Sequence, residues 1–253
     1  MGAPHGHTLH VHGHSVVHRL PAHLKVLALV AFVLVVVATP VREGWAFAAY
    51  GLLLGVVWAA SGVGVGYVLR RMVVEVPFVV FALVMPFVST GPRVTLGGVT
   101  VSEPGLYAGL GLLAKGTLGV LASVLLASTT EPRDLVAGLE RLRVPTPLVA
   151  MMMFMLRYVE VVAGELRRMR IARESRGFQA RGVRGWPVLA GTAGALFIRS
   201  YERGERVHLA MLSRGWSGSL PMTSTVVVGA ADVVRAGAVP VAALAVLLVA
   251  VTR

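Results

Sequence analysis

The feature that most restricts this chain is its succession of long, uncharged apolar runs. A membrane-spanning helix needs about 20 mostly apolar residues, because the hydrocarbon core is about 30 Å thick and each helical residue advances 1.5 Å. Five segments reach or approach that length, at roughly 24–39, 45–67, 73–89, 104–128 and 225–251. Asp232 and Arg235 lie near the start of the last, so its true span is expected after residue 235. Apolar residues make up 56% of the 253, above the roughly 45–50% of soluble domains, and an all-α polytopic membrane protein follows. The net charge of +12 does not indicate a nucleic-acid partner, because the basic residues sit in short stretches between the apolar runs. There is no cysteine, which excludes disulfides and thiolate metal sites. The first run follows a polar tail and leads to Ala38-Thr39-Pro40 and Arg42-Glu43 without a small-residue cleavage pattern. It is read as a retained span.

The arginines set the expected orientation, since short cytoplasmic loops carry the excess of Lys and Arg. With the N-terminus inside, Arg19 and Lys25, then Arg70 and Arg71, then Arg133, Arg141 and Arg143 all fall on the cytoplasmic side. The outer connection at 90–103 reads as a turn or small hairpin, with Gly91-Pro92 and Gly97-Gly98 between Val and Thr residues. A sixth apolar stretch, 145–163, contains Arg157 and Glu160. If it also spanned, the eleven arginines from Arg167 to Arg214 would lie outside, so residues 130–220 are expected in the cytoplasm as one insert before the last span.

Three helices are predicted in that insert. Glu131-Pro132 and Asp134 open a short one, with Leu135, Leu139 and Leu142 on one stripe and Pro145 as its stop. The second runs from about Pro147 to Ser175 and ends at Gly177; the third runs from Gly185-Trp186-Pro187 to Ser213 and ends at Gly215. They are too apolar on one side to stand free in water and too charged on the other to span, so they are expected along the cytoplasmic membrane surface and against partner protein.

One short internal repeat closes the last two of these helices. Ala172-Arg173-Glu174-Ser175-Arg176-Gly177-Phe178 and Ala210-Met211-Leu212-Ser213-Arg214-Gly215-Trp216 share the alanine, Ser-Arg-Gly and an aromatic at equal offsets. A glycine just past a helix end takes the left-handed conformation, and an arginine in the last turn meets the negative end of the helix dipole. Capping alone therefore accounts for one Ser-Arg-Gly. It does not account for the alanine and the aromatic shared by both copies. An arginine pairs with carboxylates through two parallel hydrogen bonds and an aromatic fills a pocket beside it, so the two ends together form a paired anchor. Ser175, Arg176, Gly177 and Phe178, with Ser213, Arg214, Gly215 and Trp216, are the candidate docking residues.

With these motifs the chain resembles the T subunits of energy-coupling-factor (ECF) importers, in particular the cobalt-type CbiQ branch. The resemblance rests also on His18-Arg19-Leu20-Pro21 to Lys25, on Ser128-Thr129-Thr130, on Leu142-Arg143-Val144-Pro145, and on Arg157-Tyr158 through Glu165 to Ala172. That family usually has Ala-Arg-Gly, so Ser175 and Ser213 are size-compatible departures. The resemblance implies a non-catalytic subunit of the cell inner (cytoplasmic) membrane whose two coupling helices each insert an arginine, Arg176 and Arg214 here, into an ATPase subunit. Its partners would be two ATPase subunits, which hold the ATP and Mg, and a CbiM-like substrate-binding (S) subunit, with cobalt or nickel as cargo; a shared T subunit of a vitamin importer is the alternative. The expected organisation is a His-rich tail at 1–23, a four-span bundle at 24–129, coupling helices at 130–220 and a final span at 221–253. No cofactor is expected on this chain.

Other groups receive plainer readings. His5, His7, His10, His12 and His14 are candidate ligands for cobalt, nickel or zinc, but alternate spacing on a tail fixes no geometry. Glu75 is expected to pair with Arg71 at i,i+4. Lys115, within an apolar run, needs a partner from a neighbouring helix or another subunit. Met151, Met152, Met153 and Met155 read as adaptable packing, because no Cys or His is near. The small residues Gly51, Gly55 and Ala59 favour close helix contact. No nucleotide-binding loop or zinc-hydrolase pattern occurs. An intramembrane enzyme, the reading from another class, would have to build its site from Glu160, Glu165 and His208.

Overall fold

The structure, a computed structural model, describes residues 13, 15–96, 99–178, 185–216, 218 and 228–252. The elements in order are α1 (Val16–Arg19), α2 (Ala22–Ala38), α3 (Gly44–Ser61), α4 (Val65–Arg71), a 3-10 turn (Met72–Glu75), α5 (Val76–Val88), β1 (Arg93–Leu96), β2 (Val99–Ser102), α6 (Glu103–Thr129), α7 (Pro132–Arg141), α8 (Thr146–Ser175), α9 (Trp186–Leu212) and α10 (Ala230–Thr252). The described residues form two compact units, one within 13–138 and 228–252, the other within 139–218.

In the first unit α2, α3, α6 and α10 enclose a core of Phe32, Val36, Phe47, Tyr50, Leu54, Leu118, Leu125 and Ala243. Tyr50 is fully buried with its ring edge-on to Phe32 and Phe47. A buried phenol needs a hydrogen-bond partner. Thr39 Oγ1 donates to Val35 O and lies 2.9 Å from Tyr50 Oη, which therefore donates to it. The backbones of α5 and α6 approach closely. A Cβ on Gly105 would stand 2.6 Å from Met85 O, and one on Gly109 2.6 Å from Ala82 O, so this i,i+4 glycine pair is what lets the two helices touch. The small residues expected to do so do not: nothing lies within 4 Å of a Cβ built on Gly51 or Gly55.

The outer face of this unit is apolar. On α5 alone, Phe78, Val80, Phe81, Leu83, Phe87 and Val88 are exposed, a surface that lipid accommodates and water does not. Five helices are long and apolar enough to cross a membrane, namely Gly44–Ser61, Val65–Val88, Glu103–Thr129, Thr146–Ser175 and Ala230–Thr252; Ala22–Ala38 is a shorter apolar helix. The chain is an all-α polytopic membrane protein, its only strands among the described residues being the antiparallel hairpin that pairs Arg93 with Ser102 and Leu96 with Val99. The number of such helices is the expected one and the membership differs, because Thr146–Ser175 also qualifies.

Two sequence expectations are corrected here. The run at 45–67 is not one span, because Gly62 takes φ +70° and α3 stops at Ser61. Trp58 Nε1 donates to Val63 O at 2.7 Å and Ser61 Oγ accepts from Val63 N at 3.3 Å. This turn is uncharged, so hydropathy does not mark it although Ser61, Gly62 and Gly64 are turn residues, and Arg70 and Arg71 fall inside the next helical segment. Nor does Arg71 pair with Glu75. Four residues advance about 40° beyond a full turn in an α-helix and about 120° beyond one in a 3-10 turn, so the 3-10 segment swings Glu75 inward. Glu75 is buried and accepts from Thr117 Oγ1, while Arg71 lies 4.9 Å over the Tyr67 ring.

Lys115 finds its partner within the unit, donating to Val37 O at 2.7 Å in the last turn of α2. That carbonyl belongs to the orphan set at a helix C-terminus, where a cation is favoured.

Candidate docking site

The second unit contains α8 and α9, and their side chains show that they pack antiparallel. Glu165, late in α8, is held by Arg199 and Arg203, each at 3.1 Å, in the first two thirds of α9. Pro147, Ala150 and Met151, early in α8, line a cavity of about 440 Å³ with Met211 and Trp216 at the far end of α9. The C-terminal ends of the two helices are thus at opposite ends of the pair. At 1.5 Å per residue along α8, Arg176 and Arg214 are about 40 Å apart.

The two ends are the same structure made twice. Gly177 N donates to Glu174 O at 3.0 Å and Phe178 N to Arg173 O at 3.1 Å; Gly215 N donates to Leu212 O at 3.0 Å and Trp216 N to Met211 O at 3.0 Å. Each is a Schellman closure, with glycine at φ +78° and +80°. The serines repeat as well, Ser175 Oγ donating to Ala172 O at 3.1 Å and Ser213 Oγ to Ala210 O at 3.0 Å. Glycine and serine are therefore explained by the cap. The arginine and the aromatic are not, since only their backbone takes part.

Arg176 and Arg214 are both exposed, and neither guanidinium has a hydrogen bond or ion pair among the described residues. Phe178 and Trp216 are both half-buried beside them. All eight docking candidates thus fall at two equivalent, outward-facing helix ends.

The alternative enzyme residues do not converge. Both oxygens of Glu165 are committed to the two arginines, Glu160 is exposed, and His208 sits edge-on to Trp216 at 5.8 Å. No cluster of three or more His, Cys, Asp or Glu is placed to hold a metal among the described residues. His5, His7, His10, His12 and His14 lie outside those residues. One expectation needs correction, because a histidine does lie near the methionines: His208 lines the same cavity as Met151. The Glu165 clasp is an interhelical contact that sequence reasoning missed as a pairing, since its partners lie in a different helix.

The decisive comparison is with protein families. The family described as CbiQ, cobalt transport protein, matches residues 13–225. The chain belongs to that family. The CbiQ match takes in both Ser-Arg-Gly ends and all of α2 to α9. An EcfT, an energy-coupling factor transporter transmembrane protein of Thermosediminibacter oceani, is 28% identical over 222 residues, covering 83% of each chain. The cobalt transport protein CbiQ of Rhodobacter capsulatus is 28% identical over 58% of this chain and 62% of its own. An uncharacterized protein of Methanocaldococcus jannaschii is 33% identical over 128 residues. Those cover 51% of this chain and 48% of that one, so the CbiQ-family chain spans about half the length of this relative.

Proposed function

We propose that this CbiQ-family chain is the T subunit of an ATP-driven ECF importer, carrying ATPase motion to a substrate-binding membrane subunit, with cobalt or nickel as the cargo. The observation that carries the reading is the pair of matching helix ends, each with an exposed arginine and a half-buried aromatic, at opposite ends of one antiparallel helix pair. Two equal contacts about 40 Å apart suit two equivalent grooves on a pair of ATPase subunits better than one binding pocket. The bound ATP and Mg belong to those partners in this reading, and the S subunit selects the cargo. Affinity purification from the native membrane is expected to bring down ATPase chains and one further multi-pass membrane chain with this one. Recovery without any ATPase would reject the assignment.

The reading places the N-terminus and residues 130–220 in the cytoplasm, at the inner membrane. The hydropathy of Thr146–Ser175 favours a competing arrangement in which α8 crosses the membrane and α9 lies outside. The arginine density of the segment opposes it. Because the chain has no cysteine, single replacements decide between them. With an impermeant thiol reagent on intact cells, Thr95→Cys is expected to label and Ser200→Cys to stay unlabelled until the cells are opened. Equal labelling of the two would put α9 outside.

A further inference from the structure

The first unit holds a cleft whose two ends differ in chemistry. It is about 210 Å³ in volume and is walled by residues of α1, α2, α3, α6 and α10. Lys25, Thr129 and Arg235 lie at one end, where α2 and α10 begin and α6 finishes. Phe32, Leu54 and Ala122 lie at the other, about 10 Å deeper at 1.5 Å per residue from Lys25 to Phe32 along α2. Every other lining residue is apolar. Two of the three polar residues are already committed. Lys25 Nζ donates to Thr129 O at 2.9 Å, to Thr130 Oγ1 and to His18 O, and Thr129 Oγ1 donates to Leu125 O at 2.7 Å. Arg235 is different. Its side chain is mostly exposed, and its contact with Asp232, at 3.8 Å, is too long for a hydrogen bond.

A cleft with an available guanidinium at its mouth and apolar walls below is complementary to an anion that carries a hydrocarbon chain. About 210 Å³ over about 10 Å of depth leaves room for one such chain and none for a helix, which is about 10–12 Å across. We propose that this cleft binds an anionic phospholipid, with the phosphate on Arg235 and one acyl chain directed toward Phe32. Guanidinium and phosphate pair through two parallel hydrogen bonds. Lipid tails are as apolar as the leucines of a helix, so the chain itself gains little by leaving the bilayer for the cleft. The headgroup contact therefore decides which lipid is held. In the orientation given above this end of the bundle meets the cytoplasmic leaflet, where anionic lipids collect. The site is independent of the docking reading, since none of its residues belongs to α8 or α9.

The test uses the full chain, purified with whatever chains accompany it and reconstituted into phosphatidylcholine vesicles. These carry a trace of phosphatidylglycerol or of phosphatidylcholine, each with the same diazirine-bearing acyl chain, and labelled residues are read by mass spectrometry. Residues lining the cleft are expected to take about tenfold more label from the phosphatidylglycerol probe, as a charged hydrogen bond would give. Phe81 and Phe87, exposed on α5, should take the two probes equally. Arg235→Gln should bring the ratio in the cleft to within about twofold of unity. Ala28→Phe, which fills the cleft from α2, should cut labelling there about tenfold and leave α5 as in the parent, which also reports an intact fold. Equal labelling of the parent cleft by the two probes, or a preference that survives Arg235→Gln, would overturn the proposal. Unchanged labelling in Ala28→Phe would place the acyl chain outside the cleft and reject it as well. So would a cleft that neither probe labels, the result expected if a protein segment fills it instead.

Discussion

Replacing Arg176 or Arg214 by alanine is expected to weaken association with the ATPase subunits by roughly 30-fold or more, and replacing both to abolish coupled transport while membrane insertion is kept. Truncating one partner of a desolvated, hydrogen-bonded charge pair costs about 2–5 kcal/mol, and 1.4 kcal/mol is one decade in affinity. The fold should tolerate the change. Both side chains are exposed and without a partner among the described residues, and the caps are closed by backbone and serine hydrogen bonds that alanine leaves in place. Because the two ends stand about 40 Å apart, their losses should add, giving about a 10³-fold loss for the pair. Lysine should rescue poorly, since it keeps the charge but not the planar two-pronged donor. Co-purification with the ATPase and uptake of labelled cobalt, measured on the same preparations, check the result. A double variant that still co-purifies and transports normally would reduce both motifs to helix caps.

The helices that carry these arginines were legible from sequence to within a few residues at their C-terminal ends, because Gly177 and Gly215 mark a backbone requirement that few other residues meet. What sequence did not reveal is where apolar chain turns. Gly62 breaks the run at 45–67 without any charged residue to signal it, and the 3-10 turn at Met72–Glu75 redirects Glu75 away from Arg71 by a change of helical pitch alone. Pairings between distant segments were equally silent. Glu165 stood out in sequence as part of the family resemblance and as a possible acid or base, and its actual partners are 34 and 38 residues away. The glycines that matter for packing, Gly105 and Gly109, differ from Gly51 and Gly55 only in having another backbone opposite them. Periodicity and caps are local properties, whereas the choice of neighbour is not.

The same limitation applies to Lys25, whose loss should have the largest effect on stability. Its ammonium donates to Thr129 O at 2.9 Å, Thr130 Oγ1 at 3.1 Å and His18 O at 3.2 Å, so all three of its protons are used. Two of the stretches that carry the family resemblance, around Lys25 and at Ser128-Thr129-Thr130, therefore meet across a separation of 104 residues. The lysine closes the end of α6, where the last carbonyls have no helical partner and the dipole is negative. Thr129 and Thr130 are almost fully buried there, so water is poorly placed to take over. Lys25→Met keeps the volume of the stem and removes the donors. With a charged hydrogen bond contributing about 1.5–3 kcal/mol and an unsatisfied buried acceptor costing about 1–3 kcal/mol, a net loss of about 3 kcal/mol is expected, or more than 100-fold in the folding equilibrium. Denaturant titration of the purified protein in detergent micelles measures it. A midpoint equal to that of the parent would show that these acceptors are satisfied without the lysine, and that α6 ends where it does for some other reason.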